Sequence, residues 1–194
     1  PRVGVPEDAP WAPSFTSSAR CCTYHPELAN FLAGRVLRRG NAGSDHLRAR
    51  LRLREGVIAE GIRAPPSYKG RYLEAFGGGF GHDDALRCPY WSDAPGEGLG
   101  CTVHLDRDAV CRTWHCRVGG GARAHAAWMA LKETLACVEV TLANRCVAEL
   151  PGVPDDDAEP VVYERWFVRC ADHVEALDDA AIDALRGEHL DALL

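Results

Sequence analysis

Ala122 to Leu150 reads ARAHAAWMALKETLACVEVTLANRCVAEL. Trp128, Leu131, Leu135, Val138 and Leu142 recur at spacings of three and four, the repeat of one helical face. Gly119 to Gly121 precede the stretch, and Pro151 and Pro154 follow it. Proline has no N–H and blocks the preceding turn, so the helix must stop there. An uninterrupted helix of this length commits the chain to a mainly α architecture.

Upstream, Pro26 suits a first helical position, Leu28, Phe31, Leu32 and Leu37 share a stripe, and Gly40 supplies a stop. A second helix is expected from a Ser44/Asp45 cap through Leu47, Leu51, Val57, Ile58 and Ile62, broken at Ala64-Pro65-Pro66. Residues 1 to 20, with Pro1, Pro6, Pro10 and Pro13, are expected to be irregular. Downstream of the long helix lies the acidic run Asp155 to Glu159. Val161 to Val168 is expected to begin as a strand, and Ala171 to Leu194 to form one or two amphipathic helices carrying Val174, Leu177, Ile182, Leu185, Leu190 and Leu193.

Residues 67 to 122 differ in kind, with glycine turns and few long periodic runs. Arg71 to Phe76 and the alternating Cys101 to Leu105 are expected to be short strands. The fold class is therefore mainly α with a small irregular Cys-rich metal-binding insert, α+β at most, in a single domain. Residues 1–122 would form the Cys-rich region with two helices, and 123–194 a helical region packed on it.

The 194 residues suffice to bury a core, and 46% hydrophobic with 26% charged residues is ordinary for a globular chain. No run of about 18 apolar residues exists. The start, PRVGVPEDAPWAPSF, lacks the basic-then-apolar layout of a signal peptide, so a cytoplasmic location without membrane contact is expected. Charge is uneven: residues 1–80 carry +5 and the remainder −11. Arg35, Arg38, Arg39, Arg48, Arg50, Arg52 and Arg54 would suit an anionic partner. Four of them alternate with Leu47, Leu51 and Leu53, as on the solvated side of a helix, and no aromatic residues interleave. That argues against nucleic acid.

Nine cysteines without an export signal are better read as thiols and ligands than as a disulfide framework. Gly100 to Cys116, GCTVHLDRDAVCRTWHC, holds three of them, Cys101, Cys111 and Cys116, and Cys88 lies just upstream. Four thiolates converging from short loops can hold zinc, iron or an iron–sulfur cluster. The spacing matches neither paired C-x2-C knuckles nor a plant-type ferredoxin. His104 and His115 are candidates to complete or orient the site. Cys137, Cys146 and Cys170 have no partner at ligand spacing and are expected to pack in the core, as are Trp114, Trp128 and Trp166. Arg112 is expected to pair with Asp106 or Asp108. His82, Asp83 and Asp84 after the glycine run read as a turn and a helix cap.

Three elements carry a resemblance: Cys21-Cys22; Cys88-Pro89-Tyr90; and Cys101-Thr102-Val103-His104, which continues to Arg107 and then Val110-Cys111-Arg112-Thr113-Trp114-His115-Cys116. They are similar to the signature of the zinc- or iron-chelating domain family. Its pattern begins CxxxCxxCC and continues through a Cys-Pro element to R-x-x-[VA]-C-R-x-[FW]-x-C. The resemblance covers roughly residues 14–116 and implies a bound zinc, iron or iron–sulfur centre. Among the better-known relatives of that family are the flagellin lysine N-methylases. Ser14 and Ser18 stand where the first two cysteines of the pattern would fall, which leaves six candidate ligands: Cys21, Cys22, Cys88, Cys101, Cys111 and Cys116. Six still exceed the four that one centre needs.

The expectation is therefore a metal-binding protein holding an iron–sulfur cluster or iron, with a redox or protein- or peptide-modifying role. One alternative is a structural zinc protein acting as an interaction module. A lysine N-methylase-like enzyme is another, though no separate cofactor motif accompanies it. The sequence leaves the choice between Cys21 and Cys22, the substrate and the oligomeric state open. An exposed cavity beside the cysteines would favour an enzyme over a closed structural site.

Overall fold

The computed structural model describes residues 22–74, 81–92, 100–113 and 121–178, together with 180, 181, 183 and 184. In chain order the elements are β1 (Leu28–Ala29), α1 (Asn30–Arg39), α2 (Ala42–Leu53), β2 (Val57–Ile58) and β3 (Gly61–Ile62). They continue as α3 (Pro66–Glu74), β4 (Trp91–Ser92), β5 (Gly100–Cys101), α4 (Ala109–Thr113), α5 (Gly121–Glu149) and α6 (Pro160–Glu175). The chain is mainly helical with small antiparallel strands, as its periodicity requires. Residues 1–20 and the tail positions Ile182, Leu185, Leu190 and Leu193 lie outside the described residues.

The core forms where α1 meets α6. Phe31, Leu32, Val36 and Leu37 of α1 and Tyr163, Trp166, Phe167 and Cys170 of α6 are all buried. The α6 set is spaced i, i+3, i+4, i+7, one helical face. The strand expected over Val161–Val168 is therefore replaced by helix: Pro160 occupies the first turn, and the branched Val161 and Val162 that suggested a strand are exposed. Trp166 is 1% exposed and its indole N–H donates to the Ala59 carbonyl at 2.8 Å.

Five further expectations are corrected. The first helix begins at Asn30 rather than Pro26, because Leu28 and Ala29 pair antiparallel with Ile62 and Gly61; Gly40 stops it in a left-handed conformation, φ 61°. The cap of α2 is Asn41. Its side chain accepts from Ser44 N, while Ser44 Oγ accepts from Asn41 N, a reciprocal box that starts the helix at Ala42. That helix ends at Leu53 instead of Ile62, since Arg54 at φ 57° and Gly56 at φ 66° turn the chain out of helix. Val57–Ile62 then folds as the β2–β3 hairpin. Finally, Arg71 lies in α3 and not in a strand: Pro66 is its first residue, and Tyr68 and Tyr72 stack one turn apart at 5.8 Å. Cys101–Leu105 is strand only at Cys101, with a 3-10 turn over His104–Asp106.

The long helix α5 forms as read, with a different buried face. Trp128, Leu131 and Val138 are exposed, and so is Cys137. At about 1.5 Å per residue, 29 residues extend roughly 43 Å, more than the α1–α6 core can cover. The core is met instead by its final turns, where Cys146 is fully buried and Leu142, Val147 and Leu150 pack against it. No described helix is long and apolar enough to cross a membrane.

Candidate functional site

The loops between α3 and α5 are tied back onto the N-terminal segment by backbone bonds. Cys88 N donates to the Cys22 carbonyl at 2.7 Å, Trp91 N to the Cys88 carbonyl at 3.0 Å, and Thr102 N to the Tyr90 carbonyl at 2.9 Å. Trp91 pairs with Cys101 across β4–β5. Cys111 sits in α4, whose first turn is fixed by Asp108: its Oδ1 accepts from Cys111 N at 2.9 Å and its Oδ2 from Glu27 N at 3.3 Å. Asp108 is 3% exposed, so burial pushes its carboxyl up, against the bonds it accepts.

Cys88, Cys101 and Cys111 thereby come within electrostatic reach of one another. Burial, followed by Cys101 among other neighbours, pushes the Cys88 thiol up to about 12. Burial, then Asp108, Cys88 and Cys101, pushes the Cys111 thiol up as well. A bare thiolate is unfavourable at either position, and only a bound cation would reverse that. Cys22 is half-buried beside them. Among the described residues no set of three or more Cys, His, Asp or Glu side chains is arranged to grip a metal ion. Cys21, Cys116, His115 and Trp114 lie outside the described residues. His104 is exposed in its 3-10 turn.

Comparison with family models, curated proteins and solved structures gave no match. The reading of the site therefore rests on its own residues.

Two features go beyond or against the sequence reading. The first is a cavity of about 340 Å³ between the β2–β3 hairpin, α4 and α5. Leu28, Ile62 and Val140 line it with apolar surface, and Tyr24, Asp108 and Glu139 contribute polar groups. Asp108 links this cavity to Cys111. Glu139 accepts from Ala109 N at 3.0 Å, and its carboxyl is raised to about 7, by burial first and by Asp108 second among the raising causes. The signal in sequence was Asp108 three residues before Cys111, a helix-cap spacing.

A raised carboxyl favours the folded state fully below the unfolded value near 4.5, and that stabilisation is lost as the pH rises through about 7. Glu139→Gln should consequently stabilise the protein at pH 8 by about 1 kcal/mol, after allowing for solvent screening of a half-buried group, and leave pH 4.5 almost unchanged. Urea unfolding at both pH values measures this. An equal effect at the two would mean that Glu139 titrates normally.

The second feature is Arg50, expected on a solvated helix face but only 2% exposed. Its Nη2 donates to the Glu55 carbonyl at 2.6 Å and the Arg63 carbonyl at 2.5 Å, joining the end of α2 to the hairpin. Among the described residues its Nε meets no hydrogen-bond partner, and the Tyr90 hydroxyl makes no hydrogen bond of good geometry. Tyr90 is fully buried, edge-on to His46 at 5.0 Å. Tyr90 of the Cys-Pro-Tyr element lies within electrostatic reach of both the Arg50 cation and the Cys88 and Cys101 thiols. Arg112 donates to the Arg107 and Leu105 carbonyls instead of Asp106 or Asp108, and Asp106 pairs with Arg39. Asp83 caps the 3-10 turn Asp84–Leu86 as expected.

Proposed function

We propose that Cys88, Cys101, Cys111 and Cys116, with one of Cys21 and Cys22, hold an iron–sulfur cluster or iron in a redox or protein- or peptide-modifying protein. The observation that carries the reading is that Cys88, Cys101 of β5 and Cys111 of α4 lie within electrostatic reach of one another. Soft thiolates are the donors that iron–sulfur clusters and zinc prefer. The described thiols are not by themselves arranged to grip a metal, so the reading requires Cys116, or a cysteine of the Cys21-Cys22 pair, as a further donor and requires the thiols to draw together around the metal.

The cavity lined by Asp108, whose carboxylate accepts from Cys111 N, favours a centre that acts on a small or side-chain-sized group over a closed structural zinc site. A cluster would supply electron transfer; the chain supplies burial of the sulfurs and the Arg50–Tyr90 pair behind them, which set its potential.

Elemental analysis and a visible spectrum on protein purified without oxygen test this directly. Iron with sulfide and broad brown absorption support it, whereas stoichiometric zinc in a colourless protein supports the structural alternative. Cys111→Ser and Cys116→Ser should each lose most of the metal and melt about 10 °C lower, because metal binding contributes folding free energy. Cys137→Ala, at an exposed position on α5, should keep its metal. Metal content unchanged in both serine variants would remove the reading.

A further inference from the structure

α5 and α6 are joined by a short link, residues 150–159, and each contributes one fully buried cysteine where they touch. Cys146 and Cys170 are both 0% exposed. The Cys146 Sγ lies 3.8 Å from the Cys170 carbonyl oxygen. Each thiol is the largest influence on the other's titration, Cys170 lowering the pKa of Cys146 and Cys146 raising that of Cys170. Neither thiol belongs to the loop site, and nothing in the proposed metal centre uses them. Two buried thiols on touching helices, with one sulfur set against the backbone of the other cysteine, meet the first demand of a cross-link, which is proximity.

We infer that Cys146 and Cys170 form a redox-sensitive pair that closes to a disulfide between α5 and α6. The oxidant is a low-molecular-weight disulfide, and exchange proceeds when the helix contact opens locally, since the closed contact excludes reagent. The Cys146 thiolate attacks one sulfur of the small disulfide and expels a small thiolate, leaving a mixed disulfide. Cys170 gives its proton to that thiolate and attacks the Cys146 sulfur, expelling a second small thiolate, which takes up the proton that Cys146 released on ionising. Two electrons pass from the protein pair to the small disulfide, which ends as two thiols. The cross-link holds α6 to the end of α5 that carries Ala143 and Asn144, the wall of the cavity, and so fixes that wall in oxidising surroundings.

Partial unfolding and refolding in a glutathione–glutathione disulfide buffer, followed by alkylation and peptide mass mapping, tests the inference. The expected product is a linked pair of peptides bearing Cys146 and Cys170, lighter by two hydrogens and restored by dithiothreitol. The oxidised protein should melt roughly 5–10 °C higher than the reduced one, a gain absent from Cys146→Ala and Cys170→Ala. Both thiols alkylated in full after oxidative refolding, or Cys146 linked instead to a cysteine other than Cys170, would overturn it. The mapping uses the unmodified chain, so it stands even where an alanine variant folds poorly. It is also independent of whether the loop cysteines bind metal.

Discussion

Gly34→Ala should destabilise the protein by about 2–3 kcal/mol, although alanine is the better helix former. Gly34 lies mid-way along α1, where replacing glycine with alanine normally gains about 1 kcal/mol. A Cβ at this position would stand 1.9 Å from the Phe167 carbonyl oxygen, 2.5 Å from its carbon and 2.9 Å from the Ala171 Cβ. The first two are backbone atoms of α6, so no rotamer change relieves the clash and the helices themselves must separate. Overpacking of this kind costs about 1–3 kcal/mol or more, and a rigid helix backbone places it at the upper end. Separation also loosens Trp166 and Phe167 against Phe31 and Leu32, the centre of the core.

The control is Gly70→Ala in α3, where nothing lies within 4 Å of the added carbon and the propensity gain should appear alone. Thermal melts of the two variants should move in opposite directions, with Gly34→Ala lower by roughly 5–10 °C. Two upward shifts would show that α1 and α6 do not approach this closely.

Gly34 also marks what the sequence conceals. Elements written into local periodicity and punctuation were legible: α5 between its glycines and prolines, the stop at Gly40, the buried Trp166. Elements decided by distant contact were not. Val57, Ile58 and Ile62 fit a helical stripe as well as a hairpin, and only the left-handed Arg54 and the pairing of β3 with Leu28 and Ala29 separate the two. Arg50 shares a heptad with solvated arginines, yet its guanidinium is consumed by carbonyls of a turn and a strand edge that no spacing rule links to it. For the site, the cysteine spacing singled out the segment that carries Cys88, Cys101 and Cys111. The cavity and its carboxylates come from Tyr24, Asp108 and Glu139, residues 84 and 31 positions apart in the chain, and no local pattern joins them.

His25 should make the folded state sensitive to mild acid. The ring is 5% exposed, with Nδ1–H donating to the Pro26 carbonyl at 3.1 Å and Nε2 facing Arg50 Nη1 at 3.5 Å. Tyr68 and Tyr90 pack on it at 5.2 and 6.3 Å. Burial, and then the Arg50 charge, lower its pKa from 6.5 to about 4; His46 is lowered by the same two causes, and Glu27 opposes weakly. An unfolded chain takes up a proton near pH 6.5 while the folded chain refuses it until about 4. Stability is thus complete above 6.5, falls as the pH drops, and levels off below 4. The His25 contribution to that loss is about 2 kcal/mol at pH 5 and about 3 kcal/mol at pH 4.

Asp108 and Glu139 act in the opposite sense, so the total profile understates the effect, and the informative quantity is the difference between the wild type and His25→Gln. Urea unfolding should show the wild type's advantage shrinking by about 2 kcal/mol between pH 7 and pH 5. An advantage that stays constant over that range would mean the imidazole already reaches water. The consequence extends to the cysteines. A protonated His25 would set a second cation beside Arg50, under the Tyr90 that follows Cys88, so acid would loosen the support of the loop that brings Cys88 to Cys101 before the α1–α6 core itself gives way.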